Sequence, residues 1–472
     1  EELDIREELT STITRNVGPG ALFYATLNEA IRDIVARYRP KSYDENGNYP
    51  RIILQMQSDY VMEEEVSVTD QNLSWITITT DGSFTTPTIV DRSFITTAAF
   101  LADNAVLPNI NHQFEMNTNG TANNQFGIWV RNNSVVNIGN NSGFKNAAGE
   151  NLRVARNSNA TVGINSDFSG SVNDIGIRLI HQSQIVLNDN CAANNCAVHG
   201  LSLQENSSAR VGNNSTFNNN GDNGCVVADG AAVIFNSGCS FNDNGGDGLG
   251  IDKSSSASCG DGCSFDNNAT EGVLVDNSSY FGAANFTCNQ NGRGVLCRNG
   301  SNIEISDITA SNNINSDGLR IQTTSSAFIR GFKCNNNAGT GIFMSGVSYL
   351  NASNGNVITN SEANNNGNHG IANEDNSTTV FSRAINLTLK ENGKFGIVFG
   401  DHSSSDTEVD PPGSLLIKDN EDGDPNAANP IQIGVSRGSF ADLRNAVDGS
   451  GNFPKSNIAP NTISADNSYI NS

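Results

Sequence analysis

The sequence predicts an all-β fold, a single-stranded right-handed parallel β-helix of about 24 residues per turn, with three short strands in each turn. Three observations predict it. A glycine followed by an apolar–x–apolar triplet recurs at a nearly constant interval. Within each interval the apolar residues alternate as they do on a half-buried strand. The composition, 36% hydrophobic and only 16% charged with 46 glycines, suits short strands joined by tight polar corners.

The glycine triplet appears as Gly127-Ile128-Trp129-Val130, Gly176-Ile177-Arg178-Leu179 and Gly200-Leu201-Ser202-Leu203. It continues at Gly224, Gly248, Gly272, Gly294, Gly318, Gly341, Gly370 and Gly396, with Asn151 filling the slot between 127 and 176. The positions one and three after the glycine are apolar and face inward. The position between them varies freely and faces outward. A second strand follows nine and eleven residues after the glycine, as in Ile185 and Leu187 or Ile303 and Ile305. A third inward site holds Phe144, Phe168, Phe217, Phe241 and Phe265. Parallel strands joined by such crossovers are right-handed.

The corners carry asparagine four residues before the glycine, at 123, 220, 244, 268, 337, 366 and 392. Asparagine tolerates left-handed backbone, and stacked amides hydrogen-bond along an axis. The nine cysteines lack paired Cys-x-x-Cys spacing; Cys259-Gly-Asp-Gly-Cys263 has no second pair to complete a zinc site. Cys239 and Cys263 stack in neighbouring turns with parallel Cβ vectors. That geometry predicts thiols, not disulfides.

The ends differ from the middle. Residues 1–20 read as a linker or the remnant of an upstream particle-binding region, and 21–115 as an N-terminal cap with the first coils. The regular helix runs over 116–400, and an irregular C-terminal cap or trimer-contact region over 401–472. Residues 24–37 have helical apolar spacing, which suits a cap for an open solenoid end.

The formal net charge of −23 argues against nucleic acid as a partner, and no apolar run is long enough for membrane insertion. No cofactor motif is evident. Residues 1–6 carry no charged-then-apolar signal pattern.

The helix Thr26-Leu27-Asn28-Glu29-Ala30-Ile31, the segment Tyr49-Pro50-Arg51-Ile52-Ile53-Leu54 and the Asn/Gly-rich coils resemble the pectate-lyase-like β-helix superfamily. Within it, the missing signal pattern and the retained thiols look most like bacteriophage tailspikes. The resemblance covers roughly residues 20–400 and implies a virion-tail homotrimer joined to other tail proteins through its N-terminus. It also implies a protein that binds bacterial surface polysaccharide (capsule, exopolysaccharide or O-antigen) and usually cleaves it. No catalytic motif transfers residue by residue. The outward slots Val226, Leu274, Leu296, Phe343 and Val398 form an apolar row that fits a three-fold interface.

A β-helix aligns each offset into a column. Four or five residues after the glycine lies the most charged column: Arg131, Arg156, His181, Glu205, Asp229, Asp252, Asp276 and Arg298. Arg153 and Arg178 flank it. Such residues end a strand, where polar side chains are ordinary. As a group, stacked like charges are tolerated more readily where they work. The expectation is a glycoside hydrolase with Glu205, Asp229 and Asp252 as catalytic carboxylates. Arg153, Arg156, Arg178, His181, Asp276 and Trp129 would bind substrate. Carboxyls on neighbouring turns stand roughly 5 Å apart and on alternate turns roughly 9–10 Å, near the retaining and inverting spacings. The alternatives are a lyase acting on uronic acids, with His181 and the arginines, and a spike that only binds its receptor.

Overall fold

The computed structural model describes residues 6–20, 24–40, 49–82, 86–118, 125–353, 359–382, 385–408, 414–418, 433–435, 440–442 and 469–471. The chain is an all-β, right-handed parallel solenoid of about 14 turns at about 24 residues per turn. It divides into two compact units, Glu1–Asp222 with Ala231–Val233, and Asn223–Gly230 with Ile234–Ser472.

In the first unit the leading strands of successive turns include Phe126–Arg131, Leu152–Ala155, Ile177–Ile180 and Leu201–Leu203. They pair in parallel, so Ile128, Leu152, Ile177 and Leu201 form one inward row. Trp129, Arg153, Arg178 and Ser202 form the outward row beside it. In the second unit the same pairing runs from Cys225–Val227 to Ile397–Phe399. Its outward row is Val226, Gly250, Leu274, Leu296, Arg320, Phe343, Ala372 and Val398.

The glycine of the repeat has a steric cause. A Cβ on Gly248 would lie 2.6 Å from the carbonyl oxygen of Gly272, and neighbouring turns show the same crowding. No side chain fits there. The inward rows close the core as expected. Phe144, Phe168 and Phe217 in the first unit, and Phe241 and Phe265 in the second, are fully buried. Phe241 and Phe265 stack at 4.8 Å with rings 9° from parallel, within the range where offset stacking adds to burial.

The corners depart from expectation in one detail. A buried row of asparagines stacks in the second unit, Asn244, Asn268, Asn291, Asn313, Asn337, Asn366 and Asn392; five of them stand four before the glycine as expected, Asn291 three before and Asn313 five before. The backbone N–H of each of the first six donates to the next amide oxygen, at 2.7–3.1 Å. The left-handed residue is the one before each of them, Asp243, Asn267, Asn312, Asn336 and Asn365 among these, with φ between 54° and 60°. The turn is made by one residue and the ladder by the next. Serine builds a second ladder: Ser134 N–H donates to Ser158 Oγ, Ser158 to Ser183 and Ser183 to Ser207, at 3.1–3.3 Å. Ser255, Ser279, Ser301 and Ser325 repeat it in the second unit.

Ile13–Val17, expected in a linker, is a strand paired in parallel with Ile52–Met56. The expected helix spans Leu27–Arg37, with the Thr26 side chain accepting from Glu29 N–H and Leu27, Ala30, Ile31 and Ile34 buried. In 401–472 the described strands keep the parallel order: Ser404–Glu408 pairs with Thr378–Ser382, and Ile433–Val435 with Ile397–Phe399. Residues 409–413, 419–432, 436–439, 443–468 and 472 of that region, and Asn123, lie outside those described. All nine cysteines are buried thiols, none in a disulfide. No described helix is long and apolar enough to cross a membrane.

Candidate functional site

The charged column resolves into two offsets. Arg156, His181, Glu205 and Asp229 are left-handed corner residues, with φ between 56° and 59°. Arg131 ends its strand and Asp252, Asp276 and Arg298 directly follow theirs, each just before a left-handed corner residue. Most of them pair along the stack. Arg131 binds Asp103 at 2.8 Å, and Arg156 Nη1 donates to Asn132 at 3.3 Å. His181 Nε2 meets Glu205 Oε2 at 2.9 Å, both half-exposed. These two and Arg156 line an open depression of about 350 Å³. In the second unit Lys253 Nζ lies 3.1 Å from Asp229. Asp252 Oδ1 accepts from Lys253 N–H and Asn277 Nδ2. Asp276 is clamped by Arg298 at 2.7 Å and by Asn299 at 2.6 Å. These partners give Asp229, Asp252 and Asp276 local tasks in holding the stack.

A different column gathers titratable groups, of which burial shifts Glu150, His199, Asp247, Arg293 and His369. It is the residue immediately before the strand glycine, or before Asn151: Glu150 and His199 in the first unit, and Asp247, Glu271, Arg293, Asp317 and His369 in the second. Sequence reasoning missed it because it carries fewer like charges in a row. The signal was present as one shared offset. The position lies where the chain enters the strand, so backbone and neighbouring turns cover the side chain.

In the first unit the Glu150 carboxyl is fully buried. Its Oε1 lies 3.5 Å from Arg153 Nη1 and 3.4 Å from Arg178 Nη1. Burial raises Glu150 above the usual carboxylate range, against the pull of Arg153. Arg178 Nη2 also donates to Gln204, at 3.3 Å. Trp129 meets Phe126 edge-on at 5.0 Å, and the Arg131 and Arg153 guanidinium groups sit 4.6 and 5.4 Å from its ring centre. Arg153, Arg178 and Trp129 are thus gathered around a carboxylate the expectation did not include.

In the second unit Asp247 is buried. Its Oδ1 accepts from the Thr270 hydroxyl and, at 3.1 Å, from Glu271 N–H. Burial pushes its carboxyl up to about 7; the Thr270 bond opposes this and the Glu271 charge adds to it. Glu271 is the ion-paired carboxylate of the two, with Arg293 Nη1 at 2.7 Å. The outward slot beside Asp247 is Gly250, whose missing side chain would have stood 3.6 Å from Asp247 Oδ2. That leaves a notch in the row between Val226 and Leu274. Thr270, Glu271, Arg293 and Ser316 line a depression of about 300 Å³. Asp317, Arg320, Phe343, His369 and Lys394 line one of about 380 Å³. Arg320 lies 3.3 Å from Asp317 and 4.4 Å from the Phe343 ring centre. Among the described residues no group of three or more His, Cys, Asp or Glu is placed to hold a metal ion.

A family model described as a right handed beta helix region matches residues 259–410. No curated protein matches the chain. Among solved structures, a mutant of the periplasmic alginate epimerase AlgG aligns over 83% of this chain and 77% of that one, at 11% identity and a TM-score of 0.24. A likeness at that level carries no argument about chemistry.

Proposed function

We propose that this β-helix binds bacterial surface polysaccharide and hydrolyses its glycosidic bonds, with Asp247 as proton donor and Glu271 as the partnering carboxylate. One observation carries the reading: two carboxyls on neighbouring turns have environments that push them apart. Asp247 is buried and keeps its proton up to about pH 7, whereas Glu271 is ion-paired to Arg293. Carboxyls split in this way are the mark of an acid and its complement. Neighbouring turns set them near the retaining spacing of roughly 5 Å. At Gly250 no side chain covers the outward side of Asp247 Oδ2.

β-Elimination is the second reading. Arg293 and Arg320 are the cations that a uronate carboxylate would need. Incubation with capsular and lipopolysaccharide sugars separates the two. Reducing ends without unsaturated-uronate absorbance support hydrolysis; both signals together support elimination. Asp247→Asn and Glu271→Gln each lower activity by about a hundredfold or more. Glu205→Gln, Asp229→Asn and Asp252→Asn leave it within about threefold, because their partners are structural. The reverse pattern returns the catalytic role to the corner carboxylates, and no signal on a polysaccharide shown to bind leaves a receptor-binding spike.

The same reading makes the protein a homotrimeric virion-tail component. Val226, Leu274, Phe343 and Val398 are half-buried in one outward row, while Leu296 is already covered. Light scattering then gives about three times the 50.0 kDa chain mass; a monomer at micromolar concentration removes the trimer.

A further inference from the structure

Two inward positions flank the corner after the second strand of each turn. The position before the corner holds an apolar residue, Leu187, Val211 and Phe235 in successive turns. The position after it holds a hydroxyl or a thiol, as at Ser166, Cys191, Ser215 and Cys239. That group serves the corner: Ser166 Oγ donates to Gly139 O at 3.1 Å, and Cys191 Sγ to Gly163 O at 3.3 Å. A single thiol at this place needs no other task. The turn after Cys239 departs from the pattern. It carries a thiol on both sides of its corner, Cys259 and Cys263. Cys239 lies beside Cys263 one turn below, where Ser264 N–H donates to Cys239 O at 3.0 Å. All three thiols are buried in the second unit, and those of Cys239 and Cys259 both bond to the Cys263 sulfur.

The cluster gives the two thiols of that corner different characters. In its thiol form Cys263 Sγ donates to Asn236 O at 3.4 Å. As a thiolate it accepts instead from the Cys239 thiol and the Cys259 thiol, which hold it below the ordinary thiol range while burial opposes them. Burial keeps Cys259 protonated, and its bond to Cys263 adds to that. A thiolate is a nucleophile, and a protonated thiol beside it can resolve the product. Cys239 is not that second thiol: it stacks on Cys263 with a parallel Cβ vector, which resists a disulfide. Cys259 approaches across the corner. The corner itself, Gly260-Asp261-Gly262, is thinly covered. Asp261 and Gly262 are exposed, and a Cβ built on Gly262 meets nothing within 4 Å.

We propose that Cys259 and Cys263 are an oxidisable dithiol, a modification site for hydroperoxides whose product is a disulfide across this corner. This goes beyond the polysaccharide reading and does not rest on it. A molecule the size of hydrogen peroxide enters at Gly262. The Cys263 thiolate attacks one peroxide oxygen and the O–O bond breaks. The departing oxygen takes a proton from solvent and leaves as water, and Cys263 becomes a sulfenic acid. The Cys259 sulfur then attacks the Cys263 sulfur. The S–O bond breaks, and the hydroxyl leaves with the Cys259 proton as a second water. Two thiols and one hydrogen peroxide thus become one disulfide and two waters. The new bond braces the stretch of chain that runs from Asp247 to Glu271.

The experiment treats the full chain with hydrogen peroxide, blocks the remaining thiols in denaturant with iodoacetamide, and maps the peptides by mass spectrometry. Two of the nine thiols should be lost, linked as Cys259–Cys263 and restored by dithiothreitol. The rate should stay within about twofold between pH 6 and pH 8, where an ordinary thiol of pKa about 8.5 gains about fiftyfold or more. Cys263→Ser installs the residue that Ser166 and Ser215 supply in other turns, and it should abolish the reaction. Cys259→Ala matches Ala283, which pairs with Cys259 from the next turn. It should leave a sulfenic acid on Cys263 that dimedone traps. Should a variant fail to fold, the wild-type peptide map and pH profile decide alone. Nine unreacted thiols, equal loss at all nine, a Cys239–Cys263 link, or a rate that climbs with pH as an ordinary thiol's does would each overturn the proposal.

Discussion

Asp247 is a carboxyl held in a place that favours its proton. Its ordinary value is about 3.9 in an unfolded chain, and burial moves it to about 7 in the folded one. A raised folded value means that the native state binds the extra proton. The stabilisation is complete below about pH 4 and is lost as pH rises through about 7, on the order of 4 kcal/mol by linkage. Wild-type denaturant midpoints should therefore fall from pH 5 to pH 8. Asp247→Asn, which cannot ionise, falls less; parallel curves would show that another group titrates. With Asp247 as the proposed proton donor, the alkaline limb of activity should follow the same proton. Glu271→Gln removes an influence that raises Asp247, so the carboxyl carbon of Asp247 should titrate lower by NMR. The sequence shows an acid at this position, but nothing in it told its burial from that of Asp252, which follows a strand and accepts from Asn277.

The element that carries most of the order is the turn, and its period was fully readable. The glycine spacing, the phenylalanine column and the strand alternation all follow from sterics and burial, which leave a mark on residue type. The left-handed corner was read one position late because asparagine occupies both that corner and the buried ladder beside it. The serine ladder left too weak a mark in a serine-rich chain. The buried column before the strand glycine left little mark for a related reason: charge density can be counted, whereas burial of Glu150 depends on the turns above and below. The ladder itself can be tested. Asn313 donates from its N–H and Nδ2 to Asn337 at 3.1 and 2.8 Å and accepts from Asn291 N–H at 3.0 Å. Asn313→Ala leaves a buried N–H on Asn291 and should cost about 2–3 kcal/mol in chemical denaturation. The exposed Asn315→Ala should stay within about 0.5 kcal/mol. Equal effects would mean that the ladder follows the fold and does not hold it.

At the scale of the molecule, a chain of net charge −23 would, on the elimination reading, act on an acidic polymer. Long-range and local electrostatics then oppose each other. The negative surface repels a polyanion at a distance, while Arg293 and Arg320 attract a carboxylate only on contact. Salt acts on the two ranges unequally, because the screening length is about 30 Å at 0.01 M and about 8 Å at 0.15 M. Raising salt over that interval removes the approach barrier and leaves a partly buried arginine pair largely unscreened. Association of a uronic-acid polysaccharide should therefore quicken, by about tenfold, between those concentrations. Its dissociation rate should change far less. Uronate monomers, which carry one charge, should show little of the effect. Stopped-flow anisotropy of a fluorescently labelled polysaccharide at several salt concentrations checks this directly. Association that slows steadily with salt would mean that the polymer meets a basic face before it meets the rest of the chain, and the net charge would then have no part in how substrate arrives.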